Sequence, residues 1–209
     1  MAPAMPPPGV ELSASFGDID IYLFDQLQRG RFDRRPRVLD AGCGDGRNLT
    51  FFLRRGFACF GIDREPAAIE HVRALAARLA PDLSLDNFHA GEIDRLPWEA
   101  ASMDAVIASA VLHFAQDLAH FDLMVQEMWR VLAPDGMLFA RLASNIGLED
   151  AVGAAGRRVR LPDGSTRFVV DEAMLIERTA RMGGQLLDPI KTTNVQRQRC
   201  MTTWVVRKA

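Results

Sequence analysis

Two acids bracket a run of glycines in the first third of the chain. Asp40-Ala41-Gly42-Cys43-Gly44-Asp45-Gly46-Arg47-Asn48 follows the short apolar run Arg37-Val38-Leu39. Asp63 closes a second apolar run, Ala58 to Ile62, twenty-one residues after Gly42. A glycine turn between strand and helix lets a ligand approach the backbone closely. A carboxylate at the end of the following strand can accept both hydroxyls of an adenosine ribose. Glycines alone would say little, because many α/β loops hold two or three. With Asp63 in place they point to an adenosine-bearing ligand at the switch point of a sheet.

Charge and spacing choose between such ligands. In the dinucleotide fingerprint G-x-G-x-x-G the third glycine lets helix and strand pack closely. Here it comes one residue early, at Gly46, and Arg47 holds the fingerprint position. Asp40, at the tip of the first strand, would repel a pyrophosphate and could hold an ammonium. S-adenosylmethionine (SAM) has that ammonium and no phosphate, so SAM is the expected cofactor. An NAD-dependent oxidoreductase is the competing enzyme reading. It fits the strand order and Asp63 but neither Gly46 nor Asp40. A SAM-binding regulator without catalysis is the third.

His113, four residues past Ser109, is the candidate catalytic base, since an unperturbed imidazole suits proton removal near neutrality. The competing role is a pocket wall between Leu112 and Phe114. His71 and His120 read as solvated, and Met124 and Met128 as core. Arg141 ends the fifth strand, and Arg157, Arg158, Arg160 and Arg167 flank a hairpin signal. Of these, Arg141, Arg158 and Arg160 are the candidate substrate-binding residues, suited to a carboxylate or phosphate; a solvated arginine-rich surface is the alternative.

These groups need elements to hold them. Ile19, Leu23 and Leu27 share one helical face, and Asn48 to Arg55 reads as a short helix. A four-turn helix follows Pro66, with Ile69, Val72, Leu75, Ala76 and Leu79 on one side, and Pro81 stops it. Strands are read at Leu85 to Ala90, Ala105 to Ser109 and Met137 to Leu142, with a helix through Phe121, Met124, Val125, Met128 and Leu132. Alternating strands and helices call for a parallel sheet covered on both faces. Pro162-Asp163-Gly164-Ser165 marks the hairpin within Arg158 to Val170. A helix after Asp171 and two strands, Gln185 to Thr192 and Cys200 to Lys208, finish the chain.

Within 209 residues, Lys+Arg is 25 and Asp+Glu 27, a net charge of −2. That excludes a strongly basic nucleic-acid binder as a whole-chain description. The three cysteines have no zinc-ligand spacing, so no metal is expected. Residues 1–10, Pro/Ala-rich, read as a disordered leader with no signal-peptide pattern, and no apolar run reaches transmembrane length. A cytoplasmic protein, monomer or homodimer, is expected, with residues 11–209 as a single domain.

From Asp40 to Gly136 the chain resembles the class I SAM-dependent methyltransferases. Asp40-x-Gly42-x-Gly44-x-Gly46 looks like their first motif and Asp63 like their acidic second motif. Gly91-Glu92-Ile93-Asp94 with Leu96-Pro97-Trp98 resembles the loop cradling adenine, and Met103 to His113 the fourth motif. The stretch Glu127 to Gly136 resembles the helix and turn before the fifth strand. The glycine loop is also similar to that of tellurite-resistance and thiopurine methyltransferases.

This resemblance implies a Rossmann-like α/β fold: a mostly parallel seven-stranded sheet with helices on both faces, a C-terminal antiparallel strand and the inserted hairpin. It implies that Glu92 meets the adenine amino group and Ile93 the ring. Asn48, Arg64 and Ser109 would complete the cofactor site, and an N-terminal helix would bring Tyr22 over it. Methyl transfer to a small molecule (EC 2.1.1) follows, with residues 37–142 holding cofactor and 143–209 on the acceptor side. No Asn/Asp-Pro-Pro-Tyr follows the fourth strand, where Ser109-Ala110-Val111-Leu112 stands, so adenine and glutamine amino groups lose weight as acceptors. No nucleic-acid partner and no membrane are expected.

Overall fold

The computed structural model describes residues 10–146, 157–161, 164–196 and 198–209. Two helices come first, α1 (Val10–Phe16) and α2 (Ile21–Gln28). Strand β1 (Arg37–Ala41), helix α3 (Thr50–Arg54), strand β2 (Ala58–Asp63), helix α4 (Pro66–Leu79) and strand β3 (Phe88–Ala90) follow. Next are β4 (Met103–Ser109), α5 (Leu118–Val131) and β5 (Leu132–Ala143). Strands β6 (Arg158–Arg160) and β7 (Thr166–Phe168) precede α6 (Glu172–Arg181). Strands β8 (Gly184–Leu186), β9 (Lys191–Val195) and β10 (Arg199–Lys208) end the chain.

The main sheet runs β3-β2-β1-β4-β5-β10-β8, with β9 also on β10. Strands β3, β2, β1, β4 and β5 are parallel, and β10 lies antiparallel to β5, β8 and β9. The expected α/β architecture is present, but the sheet has eight strands where seven were expected. The cause is a break at Asp188-Pro189. Proline has no N–H for a ladder, and Arg31 and Gln26 bind the Asp188 carboxylate. The single strand read at Gln185 to Thr192 therefore becomes β8 and β9, which share the outer edge of the long β10.

Other departures are local. A 3-10 turn at Leu85–Asn87, held by the Ser84 hydroxyl accepting from the Asp86 N–H, leaves only Phe88–Ala90 as β3. The leader expectation falls mostly on residues 1–9, outside the described residues, while Val10 already opens α1. The hairpin forms as expected, β6 against β7.

Side chains alternate across the sheet, so each strand feeds two cores. Leu39, Val106, Ala140 and Trp204 pack against α5 and α6 through Phe121, Met128 and Leu175. Val38, Ile107, Phe139 and Val205 pack against α2, α3 and α4 through Leu23, Phe52 and Val72. Asp40, Ser109 and Arg141 lie two residues beyond Val38, Ile107 and Phe139, on the α2 side of the strand ends. No helix among the described residues is long and apolar enough to cross a membrane.

Candidate functional site

The C-terminal ends of β1, β2, β3 and β4 frame a cavity of ≈ 470 Å³. Gly42, Asp63, Arg64, Glu92 and Ile93, all anticipated from the sequence, line it, together with Val111, Phe114 and His120. Gly42 has φ +82°, and a Cβ there would sit 2.5 Å from Val111 Cγ2. The turn thus needs glycine both for its backbone and for the approach of the segment after β4. Gly44 donates its N–H to Asp63 Oδ2 at 2.9 Å, and Glu65 N–H donates to Asp63 Oδ1 at 3.0 Å. Asp63 is therefore oriented by backbone before any ligand arrives. Gly46 serves packing instead, since a Cβ would meet Val72 and Leu75 of α4.

Asp40 is 1% exposed, and neither carboxylate oxygen has a hydrogen-bond partner among the described residues. Burial pushes its pKa up to about 8, with the neighbouring Arg47 and the Asn48 side chain acting in the opposite sense and Asp63 adding to the rise. Unpaired buried carboxylates are costly and uncommon. A positive group arriving at the glycine turn would satisfy this one. The cradle and the acid together fit the methionine and ribose ends of SAM.

Beside Asp40 lies a second group of polar residues, on the α2 side of the sheet. Its centre is Asp20, 3% exposed, the N-cap of α2. Asp20 Oδ2 accepts from Arg141 Nη1 at 2.9 Å and from Ser109 Oγ at 3.2 Å, while its N–H donates to Asn48 Oδ1 at 3.0 Å. Arg47 Nη2 lies 3.9 Å from the same carboxylate and 3.3 Å from Ser109 Oγ. Tyr22, one helical step on, hydrogen-bonds Thr193 of β9 and lies under the Arg141 guanidinium, 4.8 Å from ring centroid to Cζ. Ser109, Asn48 and Tyr22 thus sit in this network; like Asp40, Gly44 and Gly46, they are not among the residues lining the cavity. The sequence reading missed Asp20, although an aspartate just before an amphipathic helix is a capping signal.

His113 falls on the 3-10 turn Leu112–Phe114, 7% exposed, with Nδ1 lacking a partner among the described residues. Burial, reinforced by Arg167, lowers its pKa to about 4. Its ring stands 4.7 Å from that of Phe114, and Phe114 lines the cavity whereas His113 does not. The hairpin arginines separate in space. Arg157 pairs with Asp171 at 2.8 Å, and Arg167 lies 4.7 Å over the Phe114 ring. Arg158 and Arg160 flank buried Val159 and are exposed on the opposite face of β6.

Residues 39–140 match the family model described as a methyltransferase domain. Ubiquinone biosynthesis O-methyltransferase of Methylocella silvestris is 37% identical over 123 residues, 57% of this chain and 46% of that protein. The chain thus spans less than half the length of that relative. Among solved structures, a Burkholderia thailandensis 1,6-didemethyltoxoflavin-N1-methyltransferase with its substrate and S-adenosylhomocysteine superposes with a TM-score of 0.68 at 20% identity, covering 95% of this chain and 81% of that one. Magnesium protoporphyrin IX methyltransferase from Synechocystis PCC 6803 gives 0.67 at 17% identity, covering 91% and 81%. These two likenesses establish a shared fold. Taken with the motifs set around Asp40 and Asp63, the match identifies residues 39–140 as a methyltransferase domain, similar to those of the class I SAM-dependent enzymes.

Proposed function

We propose that the protein transfers a methyl group from SAM to a small molecule. The observation that carries this reading is Asp40, a buried acid at the tip of β1 whose oxygens meet no hydrogen-bond geometry among the described residues, near Arg47 and Asn48 and beside a glycine turn and Asp63. Asp40 would hold the ammonium, Asp63 the ribose hydroxyls, and Glu92 and Ile93 the adenine. When bound, SAM supplies a methyl already activated on a sulfonium cation. The protein's own task is then to orient the acceptor and exclude water, a proximity effect.

Residues 37–142 would serve the cofactor, and α2 with residues 143–209 the acceptor side. His113, with a pKa of about 4, is a weak proton acceptor at neutral pH. This reading gives it a packing role behind Phe114, which lines the cavity. The small molecules in the names of the quinone and toxoflavin enzymes support a small acceptor. Isothermal titration with SAM and S-adenosylhomocysteine tests the cofactor directly. One-to-one binding of both is expected; absence of heat with both, or tighter binding of NADH, contradicts the reading.

A further inference from the structure

Cofactor binding leaves part of the α2-side polar network unexplained. Strand register sets Ser109 of β4 beside Arg141 of β5, Arg141 beside Thr203 of β10, and Thr203 beside Lys191 of β9. Cross-strand partners share a face, so these side chains form one row leading away from Asp40. Arg141 is the cation at its centre. Its Nη1 is engaged by Asp20 and its plane rests on Tyr22, which Thr193 holds by the hydroxyl. Nε is buried without a hydrogen-bond partner among the described residues, while the side chain as a whole remains 22% exposed. A guanidinium offers five N–H donors in a planar fork, matched to carboxylate geometry. Here one arm is occupied and the whole fork is held in orientation. The hairpin arginines are differently disposed, with Arg157 paired to Asp171, Arg167 over Phe114, and Arg158 and Arg160 on the outer face.

We propose that Arg141 is the anchor for a carboxylate on the methyl acceptor. Tyr22 is its stacking support, and Asp20 is the counter-ion that keeps the guanidinium aimed across the row. The acceptor then enters over the α2 side of the sheet, beside the methionine end of the cofactor site. A singly charged anion suits the place better than a phosphate dianion, because Asp20 lies on this face and would repel a second negative charge. This assignment rests on the methyltransferase reading for the identity of the bound molecule as an acceptor.

Tyr22 is the only tyrosine of the chain, so biosynthetic 3-fluorotyrosine places one fluorine resonance directly under Arg141. The probes are benzoate, its neutral isostere benzamide, and phenyl phosphate, each titrated with and without saturating S-adenosylhomocysteine. Benzoate is expected to shift the resonance saturably, with phenyl phosphate at least about tenfold weaker, a difference of 1.4 kcal/mol, and benzamide without effect. Arg141→Gln is expected to lose the benzoate response. Because that change strands the buried Asp20, the double variant Asp20→Asn/Arg141→Gln keeps a neutral pair and serves as the folded control.

Four results overturn the proposal: benzamide matching benzoate, phenyl phosphate binding more tightly, an unchanged benzoate response in the double variant, or no shift with benzoate into the tens of millimolar. Calorimetric binding of S-adenosylhomocysteine to the same sample separates the two readings. If it binds and benzoate does not, only the Arg141 assignment falls; if it does not bind, the cofactor reading falls whatever benzoate does.

Discussion

Binding of SAM should release a proton from Asp40. With a pKa of about 8 in the free protein, this acid is protonated at pH 7 to a fraction of about 0.9. An ammonium about 4 Å away, in surroundings of effective dielectric about 20, favours the carboxylate by about 4 kcal/mol. At 1.36 kcal/mol per pKa unit this is a drop of about three units, to about 5. Nearly the whole proton, about 0.9 per SAM, would then leave at pH 7. Affinity should accordingly rise with pH from about 5, close to tenfold per unit, and turn over near about 8, where the α-amino group of SAM itself loses its proton. The assay is isothermal titration at pH 7 in several buffers of different ionisation enthalpy, where the slope of observed heat against buffer heat counts protons. Asp40→Asn should bring the slope close to zero and weaken binding. A slope near zero in the unaltered protein, or one that survives Asp40→Asn, would refute the placement of the ammonium on Asp40.

Asp63→Ala removes the acceptor for two ribose hydroxyls and frees the Gly44 N–H. At about 2–3 kcal/mol for the charged hydrogen bonds lost, Kd for S-adenosylhomocysteine should rise about 30- to 150-fold; a folded variant within threefold of the parent removes Asp63 from the site. Gly42→Ala forces a side chain into a positive-φ turn and against Val111. It should cost about 1–3 kcal/mol in urea unfolding and weaken the cofactor as well, and unchanged stability would show that the turn tolerates a side chain. His113, neutral down to about pH 4 against 6.5 when unfolded, binds fewer protons folded than unfolded within that window. Stability should therefore fall as pH drops from about 6.5 to about 4, by up to about 3 kcal/mol, and His113→Phe should flatten the fall. In a methyl-transfer assay the same variant should show a pH profile without loss of a limb near 6.5; loss of such a limb would restore His113 as a base.

The glycine turn and the placement of Asp40 and Asp63 at adjacent strand ends were legible because their constraints are local. Asp40, Gly42 and Gly44 lie within one turn, and Asp63 is fixed relative to them by the paired ends of β1 and β2. Period-two and helical patterns likewise located most strands and helices. The proposed acceptor end is non-local. Asp20, Ser109, Arg141 and Thr193 come from α2, β4, β5 and β9, and only the assembled register brings them together. Arginine clustering in the sequence misled for the same reason, because Arg157, Arg158 and Arg167 are neighbours along the chain yet meet Asp171, solvent and Phe114 in turn. The eighth strand was hidden by one proline, Pro189, in a run that otherwise reads as continuous.

The most direct test of the central claim is a crystal structure of the protein with S-adenosylhomocysteine. Ribose hydroxyls on Asp63, the ammonium on Asp40, adenine between Glu92 and Ile93, and the sulfur directed towards Ser109 and Arg141 are expected. A nucleoside lying away from Asp63, or an ammonium that leaves Asp40 unpaired, would contradict that claim.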